Sequence, residues 1–439
     1  VKKATVLFVA LLVALGCLSA NAQENQVFYG DPLPDAPLLA ARGAYGVGVQ
    51  TLTLVNPDQI DLLNMSETNP DARYDRPLTV EVWYPAIIPD GEDASTTYET
   101  QLGRSDQSNV EAFTFAGRAL RDAAPDNSDG AYPLLIVSHG YPGSRYQLTY
   151  LTENLASKGY VVAAIDHTDS TFADTGNFFS TLLNRALDQN FVLDEMATLG
   201  AGDGFLSGLV DADNTAIIGY SMGGYGALNA AGAGYNGLLE SFLPVIAPRM
   251  AGNADYAASL DTRIKAIVVL APWGGDLTAF GLAGMGFWDA DAMGGITVPS
   301  LWIAGSLDDV AGYDAIVGLF DNAVNSDRAL LTYENALHNV AGNPPPSSVR
   351  DFPDYERYSE PAWQVERINN INQHFITAFL EQTLMGTDQS AILQPLIENA
   401  NDGVVSLDEA GAPTADHTYW SGFLPRTAAG MSLRYSAAQ

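Results

Sequence analysis

The chain has 439 residues, with 52 acidic against 20 basic side chains and a formal charge of −32 at pH 7. Such a surface repels nucleic acid and anionic membranes, no basic cluster offsets it, and acidic solvation of this kind suits a salty medium. Cys17 is the one cysteine, so the sequence beyond it has no disulfide, no thiol nucleophile and no cysteine-based metal site.

Residues 1–22 hold Lys2 and Lys3, an apolar run over 4–16 and the small-residue ending Ala20-Asn21-Ala22. That is the order of a secretory signal peptide, and its apolar run is too short to span a bilayer comfortably. Cys17 follows Ala-Leu-Gly, a poor lipobox, which favours cleavage after Ala22 over a lipid anchor. A secreted or periplasmic protein is expected, without membrane insertion. With no disulfides it must be held by its core, and the remaining length can build a large one.

Residues 23–45 are rich in Pro and Ala and predict an extended arm. Residues 47–55 and 78–84 alternate apolar and polar side chains, predicting two strands and an antiparallel opening to a sheet, with a polar connector at 56–76. The stretch 85–129 is long and polar, with a short helical patch expected near 110–121. Strands are then predicted at 132–138, 160–165, 216–218, 264–270, 299–304 and 329–333, the last of the sheet. Between and after them helices are predicted at 146–158, 178–199, 222–231, 313–325 and 362–385. Insertions are expected at 234–261 and 274–295. This alternation describes a mostly parallel central sheet flanked by helices, one unit over residues 46–385, with 386–439 as a C-terminal appendage.

Gly219-Tyr220-Ser221-Met222-Gly223 joins a predicted strand to a predicted helix. A G-x-S-x-G turn in that context holds a serine in strained geometry with its hydroxyl proud of the sheet, and side chains at either glycine would strike neighbouring backbone. Standing alone, the pattern is also what an ordinary Gly-rich turn would show. A serine nucleophile needs a base, and the chain has five histidines. His374 falls inside the closing helix and His417 in the tail. His139 and His167 end strands but precede the serine. His338 follows the predicted last strand on a loop, which makes it the candidate base. The imidazole needs a carboxylate to fix its tautomer. Asp308, three residues past Gly305 at the end of the preceding strand, is favoured over Asp309. Two backbone donors are needed for an oxyanion: the Met222 amide at the helix start, and the Tyr141 amide in the loop His139-Gly140-Tyr141. The order Ser, Asp, His is that of the α/β-hydrolases.

Ser138-His139-Gly140-Tyr141-Pro142-Gly143-Ser144-Arg145, Val80-Glu81-Val82-Trp83-Tyr84-Pro85 and Gly219-Tyr220-Ser221-Met222-Gly223-Gly224 resemble bacterial members of the platelet-activating-factor acetylhydrolase family, as does Asn184-Arg185-Ala186-Leu187-Asp188. That family belongs with the dienelactone-hydrolase-like α/β-hydrolases, and the resemblance covers roughly residues 45–385. It implies a calcium-independent esterase for short or oxidised acyl chains, with Ser221, Asp308 and His338 as triad. A second resemblance links Tyr141, Ser221-Met222, Ala271-Pro272-Trp273, Asp308 and His338 to the cutinase-like polyester hydrolases. It implies that Tyr141 and Trp273 flank an aromatic ester. The disulfide of that group is absent here, and the two insertions exceed its compact form.

Tyr141, Tyr220 and Trp273, with Phe287 and Trp288, are either the substrate wall or core. The expected protein is a monomeric serine carboxylic-ester hydrolase acting on short-chain acyl esters, with an aromatic polyester as the alternative substrate, and without cofactor, metal or nucleic-acid partner. A non-catalytic binding module of the same fold is the alternative of another class, against which an intact triad argues. A peptidase shares the chemistry, but nothing indicates recognition of peptide ends. Residues 398–409 overlay a calcium loop with Asp402, Gly403, Ser406 and Glu409 in place, yet Ala400 is wrong for it and Glu398 replaces an aspartate. An acidic surface turn accounts for the same residues.

Overall fold

The computed structural model describes residues 28–103 and 111–439. Residues 1–22, where a signal peptide is expected, lie outside them. The strands are β1 (Gly46–Ile60), β2 (Arg73–Ile87), β3 (Thr96–Gln101), β4 (Ala112–Gly117), β5 (Leu120–Arg121), β6 (Ala124–Pro125), β7 (Tyr132–Ser138), β8 (Val161–Asp166), β9 (Val210–Tyr220), β10 (Ile264–Leu270), β11 (Ser300–Gly305), β12 (Arg328–Tyr333) and β13 (Met431–Ser436). Among the described residues eleven of them form one sheet, ordered β13-β12-β11-β10-β9-β7-β8-β2-β1-β5 with β6 beside β2. From β8 to β12 every neighbouring pair is parallel, while β2 runs antiparallel to both β8 and β1, β13 runs antiparallel to β12, and the short β5 lies parallel to β1.

The central strands are continuous apolar runs because both faces are covered. In β7, Leu134 and Ile136 point into one core and Leu135 and Val137 into the other. Helices α1 (Thr149–Ala156), α2 (Phe178–Ala201) and α3 (Met222–Ala230) follow β7, β8 and β9, and α2 starts on an Asn177 cap that accepts from Phe179 N. Short helices α4 (Gly237–Phe242), α5 (Ala254–Ala258) and α6 (Ala290–Met293) occupy the two insertions. They are followed by α7 (Tyr313–Asn322), α8 (Phe352–Tyr355), α9 (Val365–Leu384) and α10 (Ser390–Leu393).

Three expectations need correction. The helical patch near 110–121 is instead β4 and β5: Phe113 and Phe115 turn inward while Ala112 and Thr114 face out, a period-two pattern, and β4 pairs with β3 outside the main sheet. The connector at 56–76 is shorter than expected, since β1 and β2 extend into a long hairpin with a bulge between Asn56 and Gln59. The segment 386–439 is no appendage: β13 pairs along the whole of β12 and buries Met431 and Leu433, so β12 is not the last strand. The arm also docks. Leu33 N donates to Asn370 Oδ1 at 2.8 Å, Leu39 N to His374 Nδ1 at 3.1 Å, and Gln373 Nε2 to Gly30 O at 2.9 Å, all on α9.

Candidate active site

The carboxyl ends of the parallel strands converge on one edge. Ser221 follows β9 directly and carries φ 52° and ψ −112°, a left-handed conformation rare for a residue with a side chain. Its backbone is pinned: Ser221 N donates to Leu270 O at 2.8 Å, and Ser221 O accepts from Tyr225 N at 3.0 Å and Trp273 N at 3.2 Å. A Cβ at Gly219 would strike the Gly223 backbone, and one at Gly223 would strike Ser138 O at the end of β7. The two glycines thus let strand, turn and α3 close on each other.

Asp308 lies three residues beyond β11 and His338 five beyond β12. His338 Nε2 stands 3.1 Å from Ser221 Oγ, and His338 Nδ1 stands 2.8 Å from Asp308 Oδ2. A carboxylate can only accept, so Nδ1 carries the proton and Nε2 offers its lone pair to the Ser221 hydroxyl. Burial opposes the Asp308 charge, but His338 and the Ala311 and Val310 amides outweigh it and hold the carboxyl below its ordinary range. Asp309 is exposed. The Met222 and Tyr141 amides meet no protein acceptor among the described residues. Met222 is the first residue of α3, where the N–H has no partner within the helix and the helix dipole is positive.

The three comparisons with known proteins agree in direction. A family model described as PETase, PET hydrolase-like, matches residues 104–248, less than half of the chain. Cutinase est1 of Thermobifida alba is 28% identical over 233 residues, covering 53% of this chain and 60% of that protein. Cutinase 1 of Thermobifida cellulosilytica is 25% identical over 233 residues, covering 53% of this chain and 68% of that one. The chain therefore spans about 60% of the length of the first of these curated relatives. Among solved structures, a ferulic acid esterase from Streptomyces cinnamoneus superposes with a TM-score of 0.51 at 22% identity, over 80% of this chain and 94% of that one. The fold is that of the α/β-hydrolases. Of the two resemblances in the sequence, these matches carry the cutinase-like one.

In this α/β-hydrolase fold the edge opens as a cleft of about 180 Å³, walled by Tyr141, Phe172, Tyr220, Val310 and Tyr358 around Ser221 and His338. Tyr141 is half-buried and lines it. Tyr220 also does, but its hydroxyl donates to His338 O at 3.3 Å and its ring lies 5.3 Å from the imidazole, so it props the histidine loop as well. Trp273 is placed differently. Its indole packs against Phe178, Tyr225, Phe280 and Phe287 and lines a separate apolar cavity of about 290 Å³. Phe178 touches both Tyr141 and Trp273, with ring centroids 5.0 and 5.5 Å away, and forms the partition. Phe287 and Trp288 are buried around Tyr225 in the core.

Two buried supports escaped sequence reasoning. Glu360 accepts from Leu337 N and Asn339 N at 2.6 Å each, bracketing His338 with one carboxylate. Nothing in the string marks it among 52 acidic residues. Behind the Tyr141 loop lies a second Ser-His-Asp array. Ser138 Oγ stands 2.8 Å from His167 Nε2, and His167 Nδ1 stands 2.9 Å from Asp188 Oδ2. All three are fully buried, so no substrate reaches them. Burial, then Arg185, push His167 down to about 3, while Arg76 donates to both Asp188 oxygens at 2.8 and 2.9 Å.

His374 is buried in α9 and serves the arm. In residues 398–409 the polar groups serve local structure: Asn399 caps a turn, Ser406 bonds Thr414, and Asp408 holds the Ala410 and Ala412 amides. Among the described residues no cluster of His, Cys, Asp and Glu has the arrangement of a metal site, and no helix is long and apolar enough to cross a membrane.

Proposed function

We propose that the protein is a carboxylic-ester hydrolase working through an acyl-enzyme on Ser221. The single observation that carries this reading is the relay Ser221 Oγ–His338 Nε2 at 3.1 Å and His338 Nδ1–Asp308 Oδ2 at 2.8 Å, beside two unpartnered amides. Ser221 Oγ attacks the ester carbonyl as its proton passes to His338 Nε2, and Asp308 stabilises the imidazolium. The carbonyl oxygen gains charge against the Met222 and Tyr141 amides. The tetrahedral intermediate collapses, His338 protonates the departing alkoxide, and the acyl group stays on Ser221. A water molecule, deprotonated by His338, then repeats the attack and frees the acid. An intact relay weighs against the binding-module alternative.

On substrate, the cutinase names of the relatives favour a polyester, and short acyl esters fit the same cleft as minimal substrates. The Trp273 cavity beyond Phe178 offers apolar room for a longer or aromatic acyl part. The test is hydrolysis of p-nitrophenyl acetate with fluorophosphonate labelling. Wild type should turn over and label at Ser221, whereas Ser221→Ala should do neither. A folded wild type that remains inert to both reagents would sink the proposal.

A further inference from the structure

An amide serves an oxyanion only if it faces the cleft, and Gly140, next to Tyr141, has no side chain to restrain its backbone. The direction of the Tyr141 N–H is set by the Gly140–Tyr141 peptide plane. That bond is trans, so its N–H points opposite to the Gly140 carbonyl. The carbonyl is gripped from behind. His139 Nδ1 lies 2.7 Å from Gly140 O, and Arg185 Nη2 donates to the same oxygen at 3.4 Å. The preceding plane is pinned at both ends: Arg185 Nη1 donates to His139 O, and Gly140 N donates to Gln147 Oε1 at 3.1 Å.

The grip is itself held in one state. His139 Nε2 accepts from His167 N at 3.2 Å, while its Nδ1 meets a carbonyl that can only accept. The neutral tautomer with the proton on Nδ1 satisfies both contacts. Gly143 is glycine because a Cβ there would meet His139 Nδ1 at 2.6 Å and Gln147 Oε1 at 2.7 Å. Arg185 is fully buried, and among the described residues no carboxylate pairs with it. Its donors go to His139 O, Gly140 O and Ser170 Oγ, and its Nε finds no partner. A guanidinium buried with no direct ion pair, and only the Asp188 charge near it, is costly, and stability alone does not account for spending it on two carbonyls.

We propose that Arg185 and His139 are positioning residues of the oxyanion hole: they hold the Gly140 carbonyl away from the cleft and thereby turn the Tyr141 N–H toward the oxygen of a substrate on Ser221. Neither touches the reacting atoms. The cation behind two aligned peptides also polarises them toward the cleft. This inference rests on the ester-hydrolase reading of Ser221.

The experiment compares wild type, Arg185→Met and Arg185→Lys on p-nitrophenyl acetate. Rates are taken per fluorophosphonate-titrated site, alongside the affinity of phenylboronic acid, whose tetrahedral adduct on the serine needs the same amides. Arg185→Met should lower kcat by about 10²-fold with KM little changed, the scale of losing one oxyanion donor. Boronate affinity should fall in proportion, and Arg185→Lys should restore part of both. If Arg185→Met does not fold, Arg185→Lys and His139→Gln carry the same comparison. A purely structural role predicts fewer titratable sites, each with wild-type kcat and boronate affinity, and that result overturns the proposal. A wild type that neither labels nor turns over would instead overturn the hydrolase reading.

Discussion

In the proposed mechanism, proton transfer from Ser221 needs one ring nitrogen of His338 bare and the other occupied, and Asp308 would supply the second condition. Asp308→Asn keeps the shape but can donate to Nδ1, favouring the tautomer that cannot accept from Ser221. The expected loss in kcat is on the order of 10⁴. Asp309→Asn, on an exposed neighbour, should leave the rate unchanged. A steady-state assay of the two variants decides between adjacent carboxylates, and equal activity in both would displace Asp308. The structure brings Ser221, Asp308 and His338 together, and they were legible as candidates in the string because each follows a strand end within five positions. Glu360 and Arg185 were not, because their partners are backbone atoms far away in sequence, Asn339 N for one and Gly140 O for the other. His139 was read as a loop residue. Only its bonds to Gly140 O and His167 N reveal what it holds.

At the scale of elements, the strands buried on both faces were the readable ones. β7 and β10 match expectation to the residue, since their apolar runs stop where the chain leaves the sheet. β13 was missed although Met-Ser-Leu-Arg-Tyr-Ser alternates apolar and polar residues, because so short a run after a long irregular stretch gives no sign of its partner β12. That strand is predicted to matter. Met431 and Leu433 are buried, at about 2 kcal/mol each, and the bare edge of β12 would offer unpaired backbone to other chains. Truncation before Met431 should therefore lower the melting temperature and give concentration-dependent aggregation, read by thermal melts and gel filtration. Unchanged values in both would make β13 dispensable.

Over the whole molecule, three buried imidazoles should make stability fall with acid before most carboxylates titrate, because the unfolded chain takes up the protons that the fold refuses. Burial first, then neighbouring cations, depress His139, His167 and His374, the latter two to about 3. Their folded pKa lies below the unfolded value, so they bind fewer protons folded than unfolded. The stability tied to their neutral state is present above about pH 6.5 and is lost as pH falls from there toward 3. Glu153, Asp166 and Glu360, raised by burial, run the other way. NMR isolates the histidine part: the three rings should remain neutral at pH 5, and any one titrating near 6.5 would contradict its burial.

The docking of the arm on α9 bears on how the molecule comes together. Leu33 and Asn370 are 337 positions apart, and the Leu38 amide bonds Gly422 O, so a ribosome delivers the arm early and its seat late. Connectivity so non-local slows folding, because the loop entropy is lost before the contacts that offset it can form. The apolar arm therefore stays uncovered through most of elongation. A chain of this design stays open while incomplete, and it locks only when α9 and the following turns arrive.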